Sequence, residues 1–279
     1  MNCDDRISET SAKRPGWLRV LALLAAAVPA CGASFCKPAD FQGAYGFQLS
    51  GETTISGDAK TVAALGRIVL GPEGAITGTS TVMFAGYLLG NPVTGTYEAH
   101  EDCTITWILQ DDSGAFQHFS GVGADGGKRI DFKQTDPGGV QKGAMAKIAS
   151  VCTIQGLSKQ YTFTAAGNST PMLEGEISHT LAAKGGIQTD GNGNFMELND
   201  GGGSQTEVML TVDDQCSVEL NLAVARDGGG ASPVHFRGVL VDEGKRILAL
   251  ATDAGIEASA TFTAVAPPPV VNTPLPLLP

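Results

Sequence analysis

The sequence predicts an all-β protein that consists of two tandem small antiparallel β-barrels of about eight strands each. Three observations predict this fold class: a long internal repeat, a period-two alternation of apolar and polar residues, and turn signals about every 8 to 14 residues. A pair of β-sandwiches is the alternative, because sandwiches are built from the same alternating strands and regular turns.

An internal repeat divides the chain into two similar units. Residues 118–137 align without a gap with residues 235–254, and 11 of the 20 positions are identical. Cysteine and aromatic positions extend the alignment over residues 36–149 and 152–265. Units of about 113 residues are too long for solenoid repeats, which run about 20–50 residues, and long enough to have cores of their own. The chain is therefore expected to contain two copies of one domain.

Apolar and polar residues alternate along the predicted strands of both units. Two aligned segments each place four apolar side chains on one face: Cys103, Ile105, Trp107 and Leu109, and Cys216, Val218, Leu220 and Leu222. One apolar and one polar face are typical of an antiparallel sheet with a single core side. Aspartate and glycine fill the predicted turns between strands, because Asp-Gly pairs supply the positive φ that tight hairpins need.

Glycines beside aromatic residues favour closed barrels. Phe119 and Gly121 share the inward face of one predicted strand, and Phe236 and Gly238 repeat the pair. An aromatic ring can cover the bare glycine backbone where a barrel wall curves tightly. A barrel of eight strands encloses either a core filled with side chains or one small ligand.

Residues 1–30 have the pattern of a signal peptide. Lys13 and Arg14 precede an apolar run over residues 17–28, and small residues follow the run. A membrane-anchoring helix is the alternative, although the run is shorter than the about 20 residues that span a bilayer. Cys31 resembles the acylated cysteine of bacterial lipoproteins, so we expect an exported protein, lipid-anchored at Cys31 or released. Its expected location is the periplasm, the outer membrane or the extracellular space.

Four cysteines hold equivalent positions in the two units. They are Cys36, Cys103, Cys152 and Cys216. Because exported proteins favour disulfides, we predict the symmetric pairs Cys36–Cys103 and Cys152–Cys216. A zinc site is the alternative, but the chain has no CxxC pair and its histidines do not cluster with the cysteines.

Composition and motifs argue against several function classes. The formal net charge of −11 argues against nucleic-acid binding, and contact with a membrane is expected only through the signal or a lipid anchor. The sequence lacks GxSxG, HExxH and P-loop motifs, so no catalytic residue, cofactor or metal is predicted. Residues 190–194 resemble part of a calcium loop, but a hairpin turn is the better interpretation because the required glycine is missing. The proline-rich tail, residues 266–279, is expected to be disordered.

Inward-facing aromatic residues make the first unit the better candidate for a ligand site. The candidate ligand-binding residues are Tyr45, Phe47, Tyr97, Trp107 and Phe119. Such side chains line apolar cavities, but they also fill the cores of barrels that hold no ligand. The second unit has smaller inward residues, such as Ala165 and Ala249, so a site is expected in the first barrel.

Three polar features recur in both units, and each has a structural interpretation. They are His118 and His235, Thr135-Asp136 and Thr252-Asp253, and Lys128-Arg129 and Lys245-Arg246. We expect the histidines on the outer wall, bonded to a neighbouring strand, and the aspartates at the start of a turn. The Lys-Arg pairs are expected to protect or solvate strand ends, and capture of an anion is the alternative.

Several segments of the first unit resemble a known type of barrel. They are Gly95-Thr96-Tyr97, Asp102-Cys103-Thr104-Ile105-Thr106, and the block from Phe119 through Lys128-Arg129-Ile130 to Thr135-Asp136. They resemble the repeats of uncharacterised exported bacterial proteins, which are similar to the calycin-like eight-stranded barrel of the allene-oxide-cyclase and dirigent type. The resemblance implies that barrel for both units. The second unit departs from it, with Val208-Met209-Leu210 in place of Gly95-Thr96-Tyr97, and no catalytic motif of the plant cyclase has a match here.

These features predict a non-catalytic double-barrel protein of the cell envelope that acts by binding or as a structural component. One alternative is a lipocalin-like carrier of a small apolar ligand, which requires a cavity of at least about 300 Å³ in one barrel. The other is a cyclase or isomerase, which requires a polar group, such as Tyr97, that points into an open barrel mouth. A small apolar ligand is the partner predicted, and the sequence predicts no oligomeric state.

Overall fold

The chain folds into two antiparallel β-sheets, one for each sequence repeat. The computed structural model describes residues 36–266 apart from 56–57, 112–115, 175, 190–194, 199–206 and 227–230. The predicted signal peptide, Cys31, the turn at 190–194 and the tail from residue 267 onward lie outside the described residues.

The first sheet is a closed barrel of eight strands, here called barrel 1, in which each strand pairs with the next and the last pairs with the first. Its strands are β1 (Gly43–Ile55), β2 (Asp58–Leu70), β3 (Ala75–Phe84), β4 (Tyr87–Ala99), β5 (Thr104–Asp111), β6 (Phe116–Ala124), β7 (Arg129–Gln134) and β8 (Lys142–Lys147). In β7, burial alternates strictly: Ile130, Phe132 and Gln134 face the interior. The period-two pattern of the sequence therefore sets which side chains enter the barrel.

The second sheet, barrel 2, repeats the same meander. Its strands are β9 (Gln160–Ser169), β10 (Thr180–Thr189), β11 (Phe195–Leu198), β12 (Glu207–Val208), β13 (Leu210–Val212), β14 (Ser217–Arg226), β15 (Ala231–Val241), β16 (Arg246–Ala251) and β17 (Ile256–Ala264). Strands β12 and β13, separated at Met209, together take the place of β4. The predicted class of two tandem antiparallel barrels is confirmed, and the sandwich alternative is not adopted.

Barrel 2 narrows at one end, and barrel 1 does not. Among the described residues, β11 covers only Phe195–Leu198, whereas β3, its counterpart, has ten residues. Beyond the pairs that β10 makes with the described part of β11, β10 pairs directly with β14 through Leu181↔Arg226 and Ala182↔Ala225. Because barrel diameter grows with the number of strands, this six-stranded end is tighter than the matching end of barrel 1.

The opposite end of each barrel is capped by the segment that precedes its first strand. In barrel 1 the short helix Pro38–Phe41 inserts the fully buried ring of Phe41, and the Tyr45 hydroxyl donates a hydrogen bond to Gly127 O at 2.6 Å. In barrel 2 the Tyr161 hydroxyl donates to Gly244 O at the same distance. We refer to these as the closed ends.

Both predicted disulfides are present, and each fastens a closed end. Cys36 pairs with Cys103 and Cys152 with Cys216, with Cα–Cα distances of 5.0 and 4.8 Å. Each bond joins the capping segment to the turn before β5 or β14. Their equivalent placement follows from the duplication of the domain.

The interior of barrel 2 corrects one expectation from the sequence. An aromatic interior was expected in barrel 1 alone, but barrel 2 buries five aromatic side chains: Tyr161, Phe163, Phe195, Phe236 and Phe262. Phe262, for example, occupies the position that Met145 holds in barrel 1, as the pairs Ile247↔Phe262 and Ile130↔Met145 show. The two cores therefore differ in the distribution of aromatic residues and not in their presence.

The barrels pack against each other through their outer walls, and the described residues belong to one compact unit. The contact is a separate apolar cluster formed by Ala63, Leu65, Met83, Ala146, Val239, Val241, Leu248 and Leu250. Gly46 allows the close approach, because a Cβ atom there would lie 2.7 Å from methyl groups of both Val239 and Val241. Gln48 adds polar contacts: its amide nitrogen donates to Ala249 O at 2.6 Å and Ala260 O at 3.0 Å.

Helical structure is minor in the part of the chain described here. The helices are single 3₁₀ turns at Pro38–Phe41, Pro72–Gly74 and Ile154–Gly156. None of these described helices has the length or apolar character needed to cross a membrane.

Candidate functional site

The end of barrel 1 opposite the closed end contains a cavity of about 510 Å³, which we call the barrel 1 cavity. Its lining residues are Phe47, Leu49, Thr53, Val62, Ala64, Ser80, Val82, Phe84, Leu89, Asn91, Val93, Leu109, Phe116, Gln117, Gln134, Asp136, Pro137, Gly139 and Gln141. Inward positions of β1 to β7 supply most of these side chains. The volume lies within the range of about 300–1,000 Å³ that is typical of small-ligand sites.

Most of the wall is apolar because the cavity is a continuation of the barrel core. Phe47, Leu49, Ala64 and Val93 are core residues whose side chains also border the cavity. Gly66 on β2 leaves room for the ring of Phe47, which a Cβ atom at residue 66 would strike. An apolar wall of this kind favours binding of a ligand with an apolar body.

Three packed aromatic rings lie in the core of barrel 1, outside the lining of the cavity. Trp107 stacks on Phe119 with ring centroids 5.5 Å apart, and Phe132 meets both rings edge-on at 5.1 and 5.7 Å. Such offset and T-shaped contacts are favourable arrangements of aromatic quadrupoles.

The structure separates the five candidate ligand-binding residues. Phe47 lines the cavity, whereas Trp107 and Phe119 are core residues outside its lining. Tyr45 lies at the closed end, where burial raises the pKa of its hydroxyl well above the ordinary value. The Tyr97 hydroxyl donates to Gly71 O at 2.7 Å, and Tyr97 does not border the cavity. The five residues face one interior but lie at different heights along the barrel axis.

Two glutamines that the sequence analysis missed stand in the cavity wall. Gln134 and Gln141 are 9% and 2% exposed, and Gln134 N donates to Gln141 O at 2.8 Å, so their side chains are neighbours. Gln134 Nε2 donates to Asp136 Oδ2 at 3.0 Å. Among the described residues, Gln134 Oε1 and Gln141 Nε2 have no hydrogen-bond partner. The alternation Ile130, Phe132, Gln134 was the signal that could have revealed an inward glutamine.

A histidine–aspartate pair at the cavity rim is duplicated in barrel 2. The Asp136 carboxylate lies 2.6 Å from His118 Nδ1 and accepts His118 N at 2.8 Å. Asp253 makes the same two contacts to His235, at 2.8 and 2.7 Å. The histidines are therefore bonded from the outer wall, as expected, but their partners lie in the segments that follow β7 and β16 and not in the strands themselves. The recurring aspartates belong to the same contact, which the sequence analysis had treated separately as turn formation.

The environment of Asp136 keeps its carboxyl group ionised. Partial burial raises the pKa, but hydrogen bonds from the His118 backbone, the Gln134 amide and the His118 imidazole outweigh burial, and the pKa lies below its ordinary value. Asp136 is the one charged side chain among the described residues that line the cavity. Its carboxylate already accepts three hydrogen bonds from these groups.

The equivalent positions in barrel 2 carry apolar residues. At the repeat offset, Gln134 corresponds to Ala251 and Gln141 to Ala258, and both alanines are buried. Gly139, which leaves space for the Gln134 side chain, corresponds to Ile256, which packs into the core of barrel 2. The histidine–aspartate pair is thus common to both barrels, whereas the glutamine pair belongs to the barrel with the cavity.

Within the described residues, no three His, Cys, Asp or Glu side chains are grouped closely enough to hold a metal ion. The repeated Lys-Arg pairs lie at strand ends, and Arg129 Nε donates to Asp125 Oδ2 at 2.8 Å. This ion pair across a turn is consistent with their expected structural role.

Comparison with known proteins gives little guidance. No family model and no curated protein matches the chain. One solved structure, that of intact Ap-TbpB with its N and C lobes, is similar at 7% sequence identity over 78% of this chain and 75% of that chain, with a TM-score of 0.26. A similarity at this TM-score supports neither a shared family nor a shared function. The resemblance to allene-oxide-cyclase and dirigent barrels stays a prediction.

Proposed function

We propose that this protein is an exported binding protein that holds a small, mainly apolar ligand in the barrel 1 cavity. The observation that carries the proposal is the cavity itself, about 510 Å³ in an otherwise packed barrel. It exceeds the minimum of about 300 Å³ that a carrier requires. Of the functions that the sequence left open, the lipocalin-like carrier is the one that this geometry supports best.

The contrast between the two barrels supports a specialised role for barrel 1. Direct pairing of β10 with β14 narrows the matching end of barrel 2. Ile256 packs into the core there, whereas its counterpart Gly139 lies against the Gln134 side chain in barrel 1. One copy has the structure of a packed scaffold, and the other keeps an open end.

Export is supported by the two disulfides. Disulfides persist in oxidising compartments and are rare in the cytosol, and here they fasten both closed ends. The signal peptide over residues 1–30 and lipidation at Cys31 are part of this proposal and rest on the sequence pattern alone.

A cyclase or isomerase based on Tyr97 receives no support from the geometry. That mechanism required the Tyr97 hydroxyl to point into an open mouth, but the hydroxyl donates to Gly71 O outside the cavity lining. The enzymatic alternative would therefore need other residues.

Filling the cavity tests the proposed function. The probe is N-phenylnaphthylamine, a neutral dye whose fluorescence rises in apolar surroundings. We expect the full chain to bind the dye saturably. Val82→Phe adds bulk inside the cavity and should weaken binding at least about tenfold.

Val69→Phe is the matched control, because Val69 on β2 is 46% exposed on the outer wall. It should leave dye affinity unchanged, and both variants should keep the circular dichroism of the parent chain. Absence of saturable binding by the parent, or equal loss in the two variants, would refute a ligand site in barrel 1.

A further inference from the structure

The hairpin that joins β3 to β4 forms one side of the mouth of the barrel 1 cavity. Phe84 and Leu89, near its tip, line the cavity, and Leu89 is 44% exposed, so it lies where the cavity meets solvent. The hairpin turns at Ala85 and Gly86, between the paired residues Phe84 and Tyr87. A shift of this tip would therefore move part of the cavity wall.

A carboxylate of barrel 2 holds the tip of this hairpin. Glu257 Oε1 on β17 accepts a hydrogen bond from Gly86 N at 2.8 Å, and Glu257 Oε2 accepts one from the hydroxyl of Thr61 on β2. Gly255 N, in the turn before β17, donates to Gly86 O at 2.9 Å. Both backbone polar groups of Gly86 are thus bonded to barrel 2.

The burial of Glu257 is explained by barrel 1 and not by the core of its own barrel. Glu257 lies on the outer wall, between the inward residues Ile256 and Ala258, yet it is 5% exposed because barrel 1 covers it. At the repeat offset its counterpart in barrel 1 is Val140, which is 63% exposed. Because burial of a carboxylate is costly unless hydrogen bonds compensate it, the two donors from barrel 1 make this position suitable for a charge.

The tip is also seated closely against barrel 2. A Cβ atom at Gly86 would lie 2.6 Å from Met172 Sδ, in the segment between β9 and β10, and Gly86 has a φ of 81°. Among the described residues, the apolar cluster between the barrels contains Met83 of β3 but neither residue of the turn. A cleft of about 360 Å³ between the barrels is bordered by Glu257 and Thr61. The hydrogen bonds to Gly86 are therefore the directional contacts that fix the tip.

We propose that Glu257 is a positioning residue for the barrel 1 cavity: through this carboxylate, barrel 2 holds the β3–β4 hairpin in place and slows the escape of a bound ligand. This inference rests on the proposed function, and it gives barrel 2 a part in binding. A cavity wall that is fixed before the ligand arrives loses less conformational freedom on binding. Because affinity at one site changes mainly through the dissociation rate, loss of the contact acts chiefly on release.

Stopped-flow dissociation of N-phenylnaphthylamine from the full chain tests the proposal. Glu257→Ala removes both acceptors, so the dye should dissociate at least about fivefold faster and bind at least about threefold more weakly. Glu257→Gln keeps the length of the side chain and one acceptor oxygen, and it should give an intermediate rate. Glu219→Ala removes a 69% exposed carboxylate from the wall of barrel 2; as the matched control, it should release the dye at the parent rate.

Hydrogen exchange separates positioning of the hairpin from a general loss of stability. In Glu257→Ala, the amides of residues 82–91 should exchange at least about tenfold faster, whereas those of β6 and β7 should keep the parent rate. Thr61→Val removes one donor of barrel 1 and leaves Glu257 in place. It should shift dye release and hairpin exchange in the same direction, and it provides the test if Glu257→Ala does not fold.

The outcomes separate the two proposals. Parent-like release of the dye by Glu257→Ala and Thr61→Val would overturn the positioning role and leave the carrier function standing. Faster exchange throughout barrel 1 would also overturn it, because it would show a loss of stability that is not confined to the hairpin. A parent chain that does not bind the dye saturably would overturn both proposals.

Discussion

His118 and Asp136 are joined twice: the imidazole Nδ1 lies 2.6 Å from one carboxylate oxygen, and the backbone N–H of His118 donates to the other at 2.8 Å. The same double contact joins His235 to Asp253. In barrel 1 the contact ties the start of β6 to the segment that follows β7. In barrel 2 it ties β15 to the segment that follows β16. Because barrel 2 keeps the contact without the glutamine pair, we interpret it as a fastening of the barrel wall.

Removing the aspartate should destabilise the fold more than removing the histidine. Asp253→Ala deletes the acceptor of a backbone and a side-chain donor and should lower the free energy of unfolding by about 1–2 kcal/mol. His235→Ala deletes one exposed contact and should cost at most about 1 kcal/mol. Urea unfolding measures both, with Asp214→Ala in an exposed turn as a control. Equal costs for both variants would contradict the dominant role of the carboxylate.

The contribution of Asp136 to the free energy of unfolding should depend on pH in the acid range. Its pKa in the folded protein lies below the ordinary value of 3.8, so the folded state favours the ionised carboxylate. The stabilisation is present above the unfolded pKa and disappears as pH falls through the folded pKa. The difference in unfolding free energy between the parent and Asp136→Asn should therefore be constant near neutrality and shrink below about pH 4. A difference that grows in acid would contradict this assignment.

Each disulfide should stabilise its barrel by a similar amount. The bonds close loops of 67 and 64 residues in sequence separation, for which about 2–4 kcal/mol is typical. The double variants Cys36→Ser with Cys103→Ser, and Cys152→Ser with Cys216→Ser, should lose comparable unfolding free energy in urea. Peptide mass spectrometry under non-reducing conditions should find these two pairings. Exchanged partners or a negligible loss in either variant would contradict the prediction.

Gly46 should be intolerant of a side chain, although its counterpart in barrel 2 carries one. The equivalent residue, Thr162, is exposed on the outer wall, whereas a Cβ atom at Gly46 would lie 2.7 Å from methyl groups of Val239 and Val241. Gly46→Thr should lower the free energy of unfolding by about 1–3 kcal/mol through overpacking. Thr162→Ser is the control and should change stability little. Equal tolerance at both sites would contradict the tight contact between the barrels.

Much of each barrel could be predicted from the sequence because the relevant signals are local. Period-two alternation sets the inward face of β5 and β7, and the 117-residue offset between His118 and His235 transfers each assignment to the second copy. The cysteine pairing followed from the same symmetry. These features depend on spacing along the chain, which the sequence contains directly.

The candidate site could be predicted only in part. The sequence placed the candidate site in the first barrel, which contains the cavity, but of the five aromatic candidates only Phe47 borders that cavity. Alternation reports whether a side chain points inward and not its height along the barrel axis, which depends on strand stagger. Gln134 and Gln141 were missed because they lie outside the aromatic pattern and become neighbours only through the pairing of β7 with the chain before β8.

The sequence by itself determined that the protein is a duplicated β-barrel with matched disulfides and a common wall, because repeat, alternation and turn chemistry are properties of neighbouring residues. Only the tertiary structure decided where the two copies differ. Direct pairing of β10 with β14 tightens one end of barrel 2, whereas the ten residues of β3 and thirteen of β4 keep the matching end of barrel 1 wide. Cavity, buried glutamines and the packing of Gly46 against the second barrel all arise from contacts between residues far apart in the chain, which spacing alone does not encode.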